Sequence, residues 1–279
     1  MPLFYKIVIL IFFLNFNSCT KKDEKISIVE EKSLETQMID AYNEGLEELE
    51  KNDVIYAASK FNEAELLYPQ SIWAPRAALM AAYAYFSQLY YDDTIVELEK
   101  FLQKYKNHPR RDYAYYLLAL SHYNLIVDET KDLEEILKAE KYFQIIIKNY
   151  PNTEFAIDSE FKLELIEEIL ASKEMYLARY YVDREKWIPA INRFKTVISD
   201  YETTIYVEEA LHRLVELHYK LGLLDESKKY ASLLGYNYQS SEWYEESYKI
   251  LNQNYVKVLK QENLEKEQTI LQKFKDLLK

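Results

Sequence analysis

Glycine and proline, the residues that most often form turns, are scarce in this chain. Only three glycines and six prolines occur among its 279 residues, too few for the many tight turns of a β-sheet protein. Hydrophobic residues make up 49% of the sequence, so the chain has enough apolar material for a core and is not expected to be disordered. Its abundant leucine, glutamate, lysine, alanine and isoleucine favour helices. The sequence therefore predicts an all-α fold.

The chain also lacks the residues from which most catalytic centres are built. It has one cysteine and four histidines. The closest histidine pair, His212 and His218, is six residues apart, a spacing that does not place two metal ligands on one face of a helix. The sequence contains no glycine-rich phosphate-binding loop and no G-x-S-x-G motif. We therefore expect no catalytic residues, no metal and no cofactor, and interpret the protein as a non-enzyme.

Positive charge is in the minority. Lysine and arginine total 35 residues, aspartate and glutamate total 47, and the formal net charge is −12. The basic clusters are short pairs, such as those at residues 21–22 and 110–111. Because nucleic-acid binding requires clustered lysine and arginine, we expect no nucleic-acid partner.

Tyrosine is unusually frequent, with 27 residues. One explanation is a genome-wide compositional bias that places tyrosine wherever a helix surface suits an amphipathic aromatic side chain. The other is that some tyrosines line a groove for an extended partner chain, since tyrosine offers a large contact area at low entropic cost. Composition alone leaves both explanations open.

The N-terminus has the pattern of an export signal. Lys6 precedes an apolar run over residues 7–14, and a short polar stretch ends at Ser18 and Cys19. The apolar run is too short to cross a bilayer, so we predict a signal peptide over residues 1–18. Residues 19–34 are mostly charged and predict a flexible tether.

The only cysteine, Cys19, stands at the end of this signal, which resembles the lipobox of bacterial lipoproteins. The resemblance implies cleavage before Cys19 and acylation of that residue. Thr20 follows it, rather than the aspartate that retains many lipoproteins in the inner membrane, so a lipid-anchored protein on the periplasmic face of the outer membrane is implied. The alternative is cleavage without lipid attachment, which would leave a free thiol.

A short pattern recurs four times along the chain. Three mostly apolar residues are spaced by four and then three positions, as on one face of a helix, and a tyrosine follows eleven residues after the first. The four copies are Ala57, Phe61, Ala64 and Tyr68; Thr94, Leu98, Phe101 and Tyr105; Ala139, Phe143, Ile146 and Tyr150; and Ala190, Phe194, Val197 and Tyr201. A fixed offset repeated four times indicates a structural repeat.

A related phrase joins the copies: YPQSIWA at 68–74, YPNTEFA at 150–156 and YETTIYV at 201–207. We interpret each phrase as a joint in which the tyrosine ends one helix and the serine or threonine caps the next. The following aromatic residue, which is Trp73, Phe155 or Tyr206, is expected to fill the seam between units. The predicted N-caps are Asp53, Asp92 and Asp225 for the second helices, and Ser71, Asp112, Thr153 and Thr204 for the first helices.

The A-x-x-x-F pairs are typical of the tetratricopeptide repeat (TPR), in which two antiparallel helices form each unit. We predict a right-handed TPR-like solenoid of about five units, followed by a C-terminal capping or protruding helix over residues 240–279. The predicted units are 35–70, 71–109, 110–151, 152–202 and 203–239, the last with a first helix around 211–221 and a turn at Gly222. The repeats are longer than the standard 34 residues, so some helices or loops must be extended.

Two phrases are more specific than a generic repeat: H-P-x-x-D-Y-A-Y-Y at 108–116 and W-x-x-A-x-N-R-F at 187–194. With the signal, they make the chain resemble the BamD family, TPR lipoproteins of the outer-membrane β-barrel assembly machinery in Gram-negative bacteria. The resemblance covers most of residues 34–253. It departs at Lys106 and Glu202, where two other repeats have proline, and in the tail after about residue 255.

The resemblance implies a scaffold without an active site. It also implies several partners: a BamA-like barrel-forming subunit, other lipoproteins of the complex, unfolded outer-membrane proteins, and the membrane through the N-terminal lipid. The N-R-F motif implies that Arg193 lies at the dock for the barrel subunit, with Arg184 and Trp187 on the same hairpin. An arginine flanked by aromatic residues suits an interface. The alternative is that Arg193 is a solvated helix residue.

For the groove that would hold unfolded clients, the first two units offer Tyr42, Arg76, Leu79 and Tyr83 at inward-facing repeat positions. Ordinary core packing remains the alternative, since Leu79 and Tyr83 are one helical turn apart. The leading functional hypothesis is an outer-membrane scaffold that docks the barrel-inserting subunit and assists the insertion of β-barrel proteins. The alternative is a periplasmic TPR adaptor for peptidoglycan or cell-envelope organisation, and a hydrolase or small-ligand binder is a distant third.

Overall fold

The computed structural model describes residues 32–126 and 132–252 of the chain, and all regular secondary structure in these ranges is helical. In chain order the helices are α1 (Leu34–Glu50), α2 (Val54–Leu67), α3 (Ala74–Ser87), α4 (Tyr91–Lys104), α5 (Arg111–Asn124), α6 (Glu134–Asn149), α7 (Glu154–Asp183), α8 (Trp187–Asp200), α9 (Val207–Lys220), α10 (Leu224–Asn237) and α11 (Glu242–Leu251). The prediction of an all-α, TPR-like fold is confirmed. None of these helices is both long and apolar enough to cross a membrane.

The first ten helices form five hairpins, and each helix packs mainly against its neighbours in sequence. The repeated phenylalanines Phe61, Phe101, Phe143 and Phe194 are at most 1% exposed. Each lies in a core cluster that joins a second helix to its own first helix and to the first helix of the next unit. A single hairpin could not bury both of its faces, so stacking produces a continuous core.

The joint tyrosines lie directly after the helices that they were predicted to end. Tyr68, Tyr105, Tyr150 and Tyr201 are the C-cap residues of α2, α4, α6 and α8. The fifth unit was predicted without a joint tyrosine, but it has one: Tyr238 caps α10, eleven residues after the fully buried Ser227. Its phrase, YQSSEWY at 238–244, was hidden because serine replaces the usual alanine and proline is absent.

Aromatic rings fill the seams between units, as predicted. The ring centroids of Trp73 and Tyr42 are 5.5 Å apart in an edge-to-face arrangement, and Phe155 stacks on Tyr116 at 4.9 Å. Tyr206 packs against the core of the last two units. These contacts tie the first helix of one unit to the joint that precedes the next.

The N-cap predictions were correct for Asp53 and Thr153, whose side chains accept hydrogen bonds from the amides of Tyr56 and Ala156. They were wrong for the remaining five residues. Asp92, Asp112 and Asp225 lie inside the first turns of their helices, where a carboxylate is favoured by the helix dipole without capping. Ser71 and Thr204 lie before their helices, which begin only at Ala74 and Val207.

Helix α7 explains the longest repeat spacing. It has 30 residues, about 45 Å at 1.5 Å per residue. Ile166 and Leu170 belong to the core shared with α5 and α6, whereas Met175 and Ala178 belong to the core shared with α8, α9 and α10. One helix therefore connects two successive cores without a joint.

The first helix of the last unit begins earlier than predicted, because α9 starts at Val207 rather than near residue 211. Gly222 forms the turn to α10 with φ of 76°, a left-handed conformation that favours glycine. Helix α11 then packs on α9 and α10 at the C-terminal end of the described solenoid. The remainder of the predicted C-terminal helix, residues 253–279, lies outside the described residues, as do the predicted signal peptide and Cys19.

Candidate functional site

The first helices of units 1 to 3, the α4–α5 loop and the start of α7 enclose a groove of about 730 Å³. Because each unit contributes only one or two turns of helix to it, the site exists only in the stacked solenoid. Its lining residues are Tyr42, Arg76, Leu79, Met80, Tyr83, His108, Pro109, Arg110, Tyr113, Glu154 and Phe155.

The four client-groove candidates, Tyr42, Arg76, Leu79 and Tyr83, all lie in this lining. A residue of this set can pack in the core and line the groove at the same time. Tyr42 is half-buried with its ring 5.3 Å from that of Phe61 in the core, and Leu79 is also half-buried. Tyr83 is 39% exposed. The side chains therefore pack with their inner parts and present their outer parts to the groove.

The far wall of the groove is aromatic. The Phe155 ring lies 5.6 Å from that of Tyr113 and 4.9 Å from that of Tyr116. Tyr116 is held in turn by a 2.7 Å hydrogen bond that its hydroxyl donates to Asp158. This cluster joins α5 to the start of α7, so the wall is fixed by ring packing between two units.

The groove carries local positive charge although the protein is acidic. Arg76 lies 4.9 Å from the centre of the Trp73 ring. Within the described residues, neither Arg76 nor Arg110 forms an ion pair with a carboxylate. Burial, reinforced by these two arginines, lowers the pKa of His108, which favours the neutral form of its ring. Glu154 is the single acidic residue in the lining.

The two adjacent arginines at 110–111 have different roles. Arg111 donates to the carbonyl oxygens of Leu102 at 2.7 Å and Tyr105 at 3.3 Å, so it holds the end of α4 in place. Arg110 lines the groove instead. Such a site, with aromatic walls and two cations without carboxylate partners, suits an extended apolar or aromatic segment that carries negative charge.

Seven of the eleven lining residues were not predicted from the sequence. They come from three separate units, and no periodicity within one helix connects them. Their signal was present in the phrase at 108–116, which contains His108, Pro109, Arg110 and Tyr113. The sequence motif at 108–116, which is not part of the generic repeat, therefore contributes to the surface of the groove rather than to the core.

The residues implied for the barrel-subunit dock do not form one cluster. Nη1 of Arg193 donates to both carboxylate oxygens of Glu174, at 2.9 and 3.0 Å. Glu174 lies ten residues before Arg184 along α7, about 15 Å at 1.5 Å per residue. Arg193 is therefore separated from Arg184 along the hairpin, because α8 runs antiparallel to α7 and carries Arg193 away from the turn.

Arg184 and Trp187 lie at that turn. The guanidinium carbon of Arg184 is 3.6 Å from the centre of the Tyr180 ring. Trp187 is half-buried at the start of α8, and Nζ of Lys220 in the next unit lies 3.9 Å from its ring centre. These are cation–π contacts, which orient a cation without neutralising it.

The histidines of the described residues have structural partners. His212 is hydrogen-bonded through Nδ1 to the hydroxyl of Ser247 at 2.8 Å, and Nδ1 of His218 lies 2.7 Å from the carbonyl oxygen of Leu214. In the same part of the chain, no group of three or more histidine, cysteine, aspartate or glutamate side chains could hold a metal ion.

A family model for outer membrane lipoproteins, YfiO, matches residues 34–234. The chain belongs to this YfiO/BamD family. The outer membrane protein assembly factor BamD of Rickettsia prowazekii is 41% identical over 210 residues, which cover 75% of this chain and 84% of the relative. BamD of Caulobacter vibrioides is 35% identical over 237 residues, covering 85% and 76%. BamD of Neisseria gonorrhoeae is 32% identical over 189 residues, covering 64% and 70%. The resemblance inferred from the sequence is confirmed.

Proposed function

We propose that this chain is an outer-membrane assembly scaffold, which holds segments of unfolded β-barrel proteins and docks the subunit that inserts them. The observation that carries the proposal is the groove, where aromatic rings and two arginines from successive units face one space. Relatives that share most of the chain are named outer membrane protein assembly factors, which supports the same role. None of the relatives compared supports a peptidoglycan adaptor.

The chemistry of the groove suits an extended client strand. Successive side chains of a strand point to opposite sides, so one row would contact Tyr42, Leu79, Tyr83 and Phe155 while the other faces water. Arg76 and Arg110 would bind a carboxylate of the segment, and the tyrosine hydroxyls could pair with its backbone. Such contacts recognise an aromatic, strand-forming segment without requiring one fixed sequence.

A peptide from the last strand of an outer-membrane β-barrel, labelled with a fluorophore, tests this proposal by anisotropy. Replacing both groove arginines (Arg76→Glu with Arg110→Glu) should weaken binding at least about tenfold, since each loses a charge-assisted contact and repels the peptide carboxylate. The matched control is Lys148→Glu with Lys195→Glu, which makes the same charge change at exposed positions on second helices. Equal affinity of both double variants would argue against client binding in the groove.

The lipid anchor at Cys19 belongs to the same proposal. The tether over residues 19–34 would reach about 50 Å when fully extended, so unit 1 and its groove would stay close to the periplasmic face of the outer membrane. Cys19→Ala should abolish incorporation of labelled palmitate and release the protein from washed outer membranes. Incorporation of labelled palmitate into the Cys19→Ala variant would contradict lipid attachment at Cys19.

We further propose that unit 4 docks the barrel-inserting subunit, with Arg193, Arg184 and Trp187 as candidate contacts, alongside other lipoproteins of the complex. Purification of the tagged chain from detergent-solubilised membranes should recover a large β-barrel protein. Recovery of the chain alone at physiological salt would count against docking. Arg193→Glu should reduce the yield of the complex, because a new carboxylate would face Glu174 at this surface, while helical content by circular dichroism stays unchanged.

A further inference from the structure

Helix α11 lies where the first helix of a sixth unit would begin. It follows the joint tyrosine Tyr238, and its N-cap, Ser241, accepts a hydrogen bond from the amide of Trp243. It packs on α9 and α10, the two helices of unit 5. In each of the five units a second helix covers the first helix. Among the described residues, α11 has no such second helix.

The turn between the two helices has the same position in four of the five units. One residue with a left-handed φ stands five positions before the first residue of the core pattern. The pairs are Asn52 and Ala57, Leu89 and Thr94, Glu185 and Ala190, and Gly222 and Ser227. The residue twelve positions before the core pattern is buried in the first helix of these units: Gly45, Ala82, Ala178 and Val215. We call these offsets, together with the spacing of the core pattern, the unit register.

The sequence after α11 contains a further copy of the core pattern. Ile270, Phe274 and Leu277 are spaced by four and then three positions, and Phe274 stands where the repeated phenylalanines stand. The copy begins 43 residues after Ser227, within the 37 to 51 residues that separate the earlier copies. Because this spacing places three side chains on one helical face, the segment predicts another second helix.

The turn and first-helix positions of this copy also fit the unit register. Five positions before Ile270 stands Glu265, which a lysine follows, as one follows Glu185 in unit 4. Twelve positions before Ile270 stands Val258, which matches Val215 in unit 5. Three separate parts of the unit register therefore agree on one position for a sixth copy.

Helix α11 leaves apolar side chains partly uncovered on this side. Leu251 has the register of Met38 in unit 1, since each stands nineteen positions before the first residue of its core pattern. Met38 is 1% exposed and lies in one core cluster with Ala64 of α2. Leu251 is only half-buried, and Tyr248, almost one turn before it, is 41% exposed. A second helix would complete the burial of this face.

The C-terminal segment has the amphipathic pattern that such a helix requires. A helix over residues 267–279 would place five apolar side chains on one face: Ile270, Leu271, Phe274, Leu277 and Leu278. Its opposite face would carry lysine, aspartate and glutamine. A terminal repeat of a solenoid buries one side and keeps the other polar, so this helix suits the last position of the stack.

We propose that the open face of α11 binds the chain's own C-terminal segment, residues 253–279, and that the two form a sixth helical hairpin. In this hairpin α11 continues into residues 253–263, the chain turns at Glu265, and a second helix packs Ile270 and Phe274 on α11. The family model matches only residues 34–234, so this unit extends the solenoid beyond the matched part. The inference is independent of client binding and of partner docking.

A disulfide tests whether α11 pairs with this segment. Cys19→Ala removes the only native cysteine. Leu251→Cys with Leu277→Cys then introduces thiols at the positions that correspond to Met38 and Ala64 in unit 1. Mild oxidation of the purified full-length variant should close a disulfide within one chain, because the hairpin brings the two residues into contact.

The matched control is Leu251→Cys with Lys275→Cys, two positions earlier in the same segment. Residues that share the register of Lys275 in the described units are exposed: Glu99, Gln144, Lys195 and Ser232. The hairpin therefore places Lys275 on its outer face. The Leu277 pair should give at least about tenfold more intramolecular disulfide than this control.

Hydrogen exchange covers the case in which the cysteines disturb packing. In the full-length chain, Phe274→Asp should lower protection of the α11 amides at least about tenfold, because it buries a charge, whereas Lys275→Asp should not. Unchanged protection with Phe274→Asp, together with equal disulfide yields, would overturn the inference. Disulfides between two chains would assign the face to a second copy, and protection of α11 only in native membranes would assign it to another protein; either result would also overturn the inference.

Discussion

The contact between Gly45 of α1 and the Phe61 ring of α2 makes Gly45→Ala an informative perturbation. A Cβ built on Gly45 would lie 2.9 Å from two carbons of the Phe61 ring and 3.1 Å from a third. That ring is fully buried and also contacts the Tyr42 ring at 5.3 Å, so it has no free space to enter. The added methyl must therefore push α1 and α2 apart.

The net effect combines two opposing terms. Alanine stabilises a helix interior by about 1 kcal/mol relative to glycine, whereas overpacking a core typically destabilises by about 1–3 kcal/mol. Because the contact involves three atoms of a rigid ring, we expect an overpacking cost in the upper half of that range. The net decrease in the free energy of unfolding is then about 1–2 kcal/mol. Displacement of Phe61 should also move Tyr42 and weaken peptide binding in the groove.

Amide hydrogen exchange in α1 and α2 measures the local stability of unit 1, since units of a solenoid can open separately. Protection should fall there and remain in units 4 and 5. Gly222→Ala is the matched control: its Cβ would meet nothing within 4 Å, but φ of 76° strains the backbone, so it should loosen unit 5 only. A second change, Phe61→Leu, should restore part of the loss. Protection in the Gly45→Ala protein equal to or above that of the parent would refute this account of the packing.

Three further effects are expected. Burial and a hydrogen bond to Glu65 raise the pKa of Tyr105. The free energy of unfolding should therefore decline as pH rises above about 10, where the phenol of the unfolded chain ionises. In denaturant titrations, Glu65→Gln should make this decline less steep, whereas the control Glu63→Gln should not. Burial lowers the pKa of His212, so the protein should become less stable as pH decreases below about 6.5, where the histidine of the unfolded chain is protonated. The thermal midpoint should therefore decrease with pH in this range, and His212→Phe should remove the contribution of His212 to that decrease. Thr153→Ala should cost about 1 kcal/mol by removing the N-cap of α7, and unchanged hydrogen exchange at its first turn would contradict the capping role.

The repeating part of the fold could be predicted from the sequence because the same pattern occurs in several copies, so an ambiguous residue in one copy is resolved by the others. Every copy of the core pattern places the same residue types at the same offsets, and the buried phenylalanines and joint tyrosines lie where that pattern required. Helix starts were less predictable. An aspartate such as Asp112 is favoured both at an N-cap and within the first turn, so its identity does not fix its position.

The candidate site was only partly predictable. Inward positions on α1 and α3 follow from the repeat, and Tyr42 and Tyr83 do line the groove. Phe155 and Arg110 reach it through the stacking of separate units, which no pattern within one helix encodes. The pairing of Arg193 with Glu174 likewise depends on the length of α7, because nine residues of this helix follow Glu174 before the turn.

Binding of unfolded outer-membrane proteins in the groove can be tested directly in cells. The most direct measurement places a photoreactive phenylalanine analogue at Tyr83, 39% exposed in the groove lining, and identifies its adducts in growing cells. The account predicts adducts with newly made β-barrel proteins, which should disappear with Arg76→Glu and Arg110→Glu but persist with Lys148→Glu and Lys195→Glu. Client binding in the groove would be contradicted if the adducts contained no β-barrel protein, or if their yield were unchanged by the groove arginine substitutions.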